Sequence, residues 1–346
     1  MASWAAASEW AEGARVMDWG LIFSNTAVAA VNLEAVVFAL AAIGLNMHFG
    51  YTGLLNFGQS AFLACGAYGL AVSVSQWGVS LWVGLVIGIL AAIVLALLLG
   101  LPTLRLRADY LAIVTIAAAE IVRITLRSVR FKDTFGGSDG LQNFAGPFYA
   151  LNPLDPGVYG FGPWQFDERR TWILIVGWIT IAVVSFLMFL LIRSPWGRVL
   201  KGIREDEAAV RSLGKNVFGF KMQSLMIGGV IGALGGFLFA LGNAAVQPDF
   251  FGTDTTFFAY AVLILGGAAR IMGPVLGAAI FWGLIQFTDN LLREAIGNGY
   301  IPSSVMTVTQ SASVRFMMVG AALMLLLIFR PQGIIGDRKE VALDVR

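Results

Sequence analysis

Residues 80–100 read SLWVGLVIGILAAIVLALLLG, a stretch without a single charged side chain. A helix needs about 20 apolar residues to cross the hydrocarbon core of a bilayer, and this run supplies them. Backbone N–H and C=O groups have no water to pair with in lipid, so such a segment is either a helix or one strand of a closed barrel. The run is continuously apolar and lacks the alternation of a barrel strand, which leaves the helix. The same reading holds at 26–47, 57–74, 110–127, 171–192, 222–241, 254–268, 273–291 and 314–329. About nine membrane spans are therefore expected, with eight to ten possible because 57–74 and 254–268 are short. The expected fold is an all-α polytopic transmembrane bundle. Its membrane domain runs over 26–329, with a lead-in at 1–25, a hydrophilic loop at 193–221 and a tail at 330–346.

Composition agrees with the local reading. The 346 residues are 58% hydrophobic and 13% charged, about half the charge of a soluble domain, and the mean hydropathy is +0.78. An ordinary soluble globular protein is excluded. The net charge of +2 and the scatter of the 23 basic residues give no electrostatic footprint for nucleic acid. A single cysteine, Cys65, and a single histidine, His48, exclude disulfides, cysteine-cluster metal sites and every motif that needs two histidines. No metal is expected. Residues 1–25 carry Glu9, Glu12, Arg15 and Asp18 and lack the basic start of a signal peptide, so they read as a retained lead-in.

Small residues recur at four-residue spacing in Gly84 and Gly88, in Gly228, Gly232 and Gly236, and in Gly273 and Gly277, a pattern that lets helix backbones approach closely. Arg105, Arg107, Arg270, the basic residues of 193–221 and those of 330–346 fall on one side of the bundle. That side is expected to be cytoplasmic, with the N-terminus outside and the C-terminus inside. The long loop after the fourth span opposes this with Arg130, Lys132, Arg169 and Arg170, accompanied by Asp133, Asp139, Asp155, Asp167 and Glu168.

Three features carry chemistry. In the 193–221 loop, Glu205 to Leu213 holds good helix formers, with Asp206 and Glu207 near the N-terminal end and Gly214 as a stop. This short helix is either a solvated connector or a docking element, with Ala208, Ala209, Val210 and Leu213 available for packing. In 44–69, Gly50, Gly53 and Gly58 with Asn46, Thr52, Asn56, Gln59 and Ser60 interrupt apolar sequence. The break is either a tight turn or backbone opened toward a solute path, with Asn56 and Gln59 as path candidates. In the fourth span, Glu120 and Arg123 can pair at i,i+3, with Thr115 adding polarity. They form a structural ion pair or border a substrate cavity. Glu34 and Asp289 are weaker candidates of the same kind. No G-x-x-x-x-G-K-[ST] phosphate loop occurs, so energy for transport must come from a partner or a gradient. GGSDG, 136–140, fits G-x-S-x-G in letters but not in its strand-turn-helix setting, and reads as a loop turn. No catalytic residue is assigned.

Two sets of residues resemble a known family. EAAVRSLG, 207–214, resembles the EAA loop by which permeases of ABC importers seat a coupling helix on their ATPase, with four residues rather than three between the second Ala and the Gly. GYTGLLNFGQSAF (50–62) resembles the signature turn of ABC permeases of the branched-chain amino acid type. The likeness continues through RLRADYLAIVTIAAAEIVRI (105–124), TFGGSDGL (134–141), GGAARIMGPVLGAA (266–279) and RPQGIIG (330–336). The resemblance implies a transport subunit rather than an enzyme, with Arg204, Glu205, Asp206, Glu207, Ala208, Ala209 and Gly214 as the ATPase-coupling segment. It implies a second homologous permease, two cytoplasmic ATP-binding subunits that hold the ATP, and an external solute-binding protein. No cofactor of its own is implied. Family substrates are usually leucine, isoleucine and valine, with urea, short amides and other amino acids in sister branches. A secondary transporter using Glu34, Glu120 or Asp289 is the alternative from a different class.

Overall fold

The computed structural model describes residues 17–104, 108–302, 306–330 and 332–336, so Arg105, Arg107 and the tail beyond Gly336 lie outside the described residues. The described chain is a helical bundle: α1 Trp19–Val31, α2 Leu33–Leu45, α3 Gln59–Ser75, α4 Leu81–Thr103, α5 Ala108–Arg127, α6 Glu168–Arg193, α7 Pro195–Glu205, α8 Glu207–Ser212, α9 Val217–Asn243, α10 Thr253–Gly266, α11 Gly273–Gly297 and α12 Val308–Phe329. Among the described residues, six helices are long and apolar enough to cross a membrane, counting α2 with the turn that continues it to Tyr51. The helices α1, α3 and α10 are apolar but shorter. Two strand pairs lie between helices: β1 Leu141–Gln142 runs antiparallel to β4 Ala245–Val246, and β2 Val158–Phe161 forms a hairpin with β3 Trp164–Asp167.

The centre is α9, packed on α2, α3 and α4, while α11 packs on α1, α2, α10 and α12. Within the apolar stretch of α2, 89% of residues are buried, against 6% for α12, so α2 is the core helix and α12 stands at the periphery. The glycine spacing of α9 explains how it comes so close to its neighbours. A methyl group on Gly228 would collide with the His48 ring and the Gly44 carbonyl, and one on Gly236 would meet the Leu63 carbonyl. Both positions act as close-approach points, in agreement with the small-residue pattern.

Two expectations are corrected. The span predicted at 26–47 is two helices, because Asn32 adopts an extended conformation (ψ 178°) that ends α1 and starts α2. The first of these helices begins at Trp19, inside the segment read as a lead-in, where the Asp18 carboxylate accepts from Leu21 N at 2.9 Å and caps it. The second correction concerns 193–221, which is not mainly loop. Ser194 caps α7 with Pro195 in its first turn, a start signal that the apolar-run reading passes over. The start of α9 at Val217 takes up the end of the same segment.

Candidate functional site

The C-terminal end of α2 widens into a π-helical turn, Asn46–Tyr51, a local form that recurs at functional positions. The chain then runs without helix to Gly58, and the polar residues of this break are closed into one hydrogen-bonded network. Asn46 donates from Nδ2 to the Arg270 carbonyl at 2.9 Å and accepts from Ala269 N at 2.8 Å, which clamps the turn between α10 and α11. His48 Nε2 faces the Leu225 carbonyl at 3.2 Å and therefore carries the proton, so Nδ1 accepts from Asn56 Nδ2 at 3.0 Å. Asn56 Oδ1 accepts from Gly58 N at 2.9 Å, and Gln59 Nε2 donates to the Ala41 carbonyl at 3.2 Å. Thr52 and Ser224 share a hydroxyl contact of 2.7 Å. Thr115, from α5, accepts from Phe57 N at 3.0 Å.

The structure brings together three of the four path candidates: Asn56, Gln59 and Thr115 all lie in this network and are fully buried. Their polar atoms serve the irregular backbone, which at membrane depth needs every group satisfied. Sequence reasoning missed the distant partners. Ser224, Leu225 and Tyr260, whose hydroxyl donates to the Asn56 carbonyl at 3.1 Å, come from α9 and α10. The one available signal was a polar residue inside an apolar run, as at Ser224.

At the same end of the bundle lie α7 and α8. The predicted short helix is present, with Asp206 accepting from Ala209 N at 3.0 Å as its N-cap. Gly214, in the left-handed region at φ 76°, follows its end. Ala208, Ala209, Arg211, Ser212 and Leu213 are exposed, Leu213 to 77%. The charges of the segment divide. Glu205 and Asp206 face outward, whereas Arg204 turns into the bundle and donates to the Gly50 carbonyl of the π-helical turn. Glu207 also turns inward, pairing with Lys221 at the start of α9 and with Arg211 at 2.7 Å. A cavity of about 290 Å³ lies behind them, lined in part by Thr52, Gly53, Thr103, Arg204, Glu207 and Lys221. The α7–α8 segment and the π-helical turn are thus joined directly through Arg204.

The fourth path candidate, Glu120, stands apart. It pairs with Arg123 Nε at 2.9 Å, as the i,i+3 spacing predicts. Arg123 also reaches Asp249, after α9, at 2.9 Å, and Arg127 reaches the same carboxylate at 3.2 Å. The cluster holds two acids and two bases and is partly exposed. Asp289 is a buried carboxylate flanked by Arg293 at 2.8 Å and Arg315 at 3.0 Å, which ties α11 to α12. Glu34 is exposed in the first turn of α2. Gly136 and Gly140 both take positive φ around a 3-10 turn, and Asp139 lies 3.4 Å from Lys132. GGSDG is thus a loop turn.

Compared with known proteins, residues 28–328 match the family described as the permease component of branched-chain amino acid transport systems. The chain is 30% identical over 327 residues to the high-affinity branched-chain amino acid transport system permease protein LivM of Escherichia coli K12, covering 92% of this chain and 72% of that one. It is 26% identical over 343 residues to a probable LivM of Methanocaldococcus jannaschii, with 87% and 91% covered. To the LivH permease of Escherichia coli K12 it is 25% identical over 315 residues, with 88% and 92% covered.

Proposed function

We propose, from the premise that this chain belongs to the branched-chain amino acid permease family, that it is one of two related membrane subunits of an ATP-driven importer of leucine, isoleucine, valine or closely related small solutes. It is a multi-pass protein of the inner membrane. In this reading the end bearing α7 and α8 is cytoplasmic, the hairpin end is external, the N-terminus is outside and the C-terminus inside. The partners are a second permease such as the LivH-like relative, two cytoplasmic ATP-binding subunits and an external solute-binding protein. The permease itself binds no cofactor, and ATP is held by the partners.

The observation that carries this reading is the build of α7 and α8. An exposed face of Ala208, Ala209 and Leu213 is offered outward, while Arg204 and Glu207 fasten the inner side to the π-helical turn and to α9. A rigid partner pressing on the outer face moves the turn and α9 together, since packed interiors transmit displacement rather than absorb it. The alternating-access step follows: closure of the ATPases shifts the end of α2 and the start of α9 against the rest of the bundle.

Affinity purification of the tagged chain from native membranes tests the reading. The expected result is a complex containing a second permease and ATP-binding subunits, with ATPase activity in the eluate. Recovery of this chain alone in a transport-active form contradicts it. Glu207→Gln, which weakens the ties to Lys221 and Arg211, should leave ATPase running with reduced uptake, and unchanged coupling removes Glu207 from the assignment.

A further inference from the structure

A groove of about 400 Å³ lies between α6 and the turn that joins α10 to α11, lined in part by Phe186, Phe189, Arg270, Ile271, Met272 and Ile335. Its walls are almost wholly apolar, and Phe186 and Met272 at its lips are more than half exposed. The volume is in the range of sites that bury a small organic ligand. The walls are held in place by backbone hydrogen bonds. Ile334 N and Ile335 N donate to the Leu265 and Gly266 carbonyls at 3.0 and 3.2 Å, and Asn46 clamps Ala269 and Arg270 from the other side. The groove is therefore preformed, which lowers the cost of filling it. On the outside of a membrane-spanning helix, an apolar groove of this kind opens to acyl chains.

Charge then narrows the choice of lipid. Residues 171–192 of α6 carry no charged side chain, and Arg193 is the first after them. At 1.5 Å per residue that run covers about 33 Å, the depth of the hydrocarbon core, so Arg193 stands where hydrocarbon gives way to head groups. Phe189 lies one turn before Arg193 on the same helix face, and the Arg193 guanidinium carbon sits over the Phe189 ring at 4.0 Å from its centroid. Arg270 enters from the facing wall. Both arginines belong to the same end of the bundle, because the π-helical turn that Asn46 fastens to Arg270 is also bonded to Arg204 of α7, the helix that follows Arg193. Among the described residues, no acidic side chain lines the groove. A guanidinium has five N–H donors in one plane, so it can meet a phosphate while its face rests on a ring or another donor serves a protein group.

We infer that this groove is a binding site for an anionic phospholipid. One acyl chain lies between Phe186, Phe189 and Met272, and the phosphate meets Arg193 and Arg270. Apolar wall and basic rim together make the selectivity: the wall excludes free phosphate as a sufficient ligand, and the two cations favour a head group of net negative charge over a zwitterionic one. The inference stands whatever solute the chain carries.

The full chain in mild detergent is titrated with phosphatidylglycerol and with phosphatidylcholine of the same acyl chains, and bound lipid is counted by native mass spectrometry. The native chain should prefer phosphatidylglycerol by about 25-fold, at about 5-fold for each basic residue beside an anionic head group. Arg193→Gln should lower that preference about 5-fold, and Arg193→Lys, which keeps the charge, should hold it within about 2-fold of native. Arg193 is exposed, so these variants leave the packed interior untouched. A native preference below about 2-fold, or one that R193Q leaves unchanged, overturns the site. Inorganic phosphate in excess should fail to displace the lipid, and displacement by phosphate alone overturns the acyl-chain half. Location is read separately on the native chain: phosphatidylglycerol with a photoreactive group in its acyl chain should label the peptides holding 186–193 and 270–272, and excess unlabelled lipid should remove that label. Displaceable labelling confined to other helices overturns the assignment even where the preference holds.

Discussion

Around the π-helical turn of α2, Asn46, His48, Asn56 and Gln59 spend their polar atoms on one another and on backbone carbonyls, all out of reach of solvent. Along α5, Glu120 pairs with Arg123, and Arg123 and Arg127 both hold Asp249, in a cluster that stands partly exposed. Both regions place paired polar chemistry in an apolar bundle, and the difference lies in burial: the first is closed off, while the second keeps its carboxylates partly exposed. Buried pairs hold an irregular backbone in shape and have nothing left for a solute. Charged pairs that stay partly exposed can still be reached from outside the bundle. A polar residue in a membrane helix is therefore informative about transport only once its partners are known.

Four substitutions break or sharpen this contrast. Asn56→Leu should have the largest effect on stability, because it leaves His48 Nδ1 and Gly58 N unpaired in the core, at about 1–3 kcal/mol for each orphaned group. Thermal unfolding in detergent should show a marked loss, and a transition at the native temperature would show that the network does not hold the turn. Gly228→Ala comes next. The added methyl meets the His48 ring and the Gly44 carbonyl, an overpacking cost of about 1–3 kcal/mol that the same melt should register.

Gly214→Ala should cost about 1–2 kcal/mol locally, since its φ of 76° is left-handed. Gly214 is exposed just after α8, so under the proposed coupling role the readout is the ratio of solute moved to ATP hydrolysed, which should fall while membrane insertion is retained. Glu120→Gln should change stability least, by less than about 1 kcal/mol, as partly exposed ion pairs do. Its effect belongs to uptake kinetics. A variant with native leucine uptake would return the Glu120–Arg123 pair to a purely structural role.

Much of the bundle was legible from local pattern. The uncharged run at 80–100 became α4, and the Asp206 to Gly214 signals became a capped helix with its stop. The i,i+3 spacing of Glu120 and Arg123 became an ion pair. Local pattern works there because capping, periodicity and helix-face neighbours are short-range physics. The break at Asn32 was not visible, since the residues on both sides are apolar and the interruption needs only one extended residue. Nor was the direction of the charges on α7 and α8. Arg204 reaches Gly50 across 154 residues of sequence, and Asp249 joins Arg123 across 126. Such partners depend on which helices pack together, which no window of adjacent residues encodes. The same holds for Asn56 and Gln59, where the sequence shows the polar groups but not the carbonyls that satisfy them.

The central claim is that this chain moves solute only when driven by ATP bound to its partners. The direct measurement is uptake of radiolabelled leucine into proteoliposomes containing the purified complex and its binding protein, with ATP supplied to or withheld from the ATPase side. The account predicts uptake that requires ATP, continues without an ion gradient and is absent from vesicles holding this chain alone. Uptake by the isolated chain, driven by a proton gradient and abolished by Asp289→Asn, would contradict it.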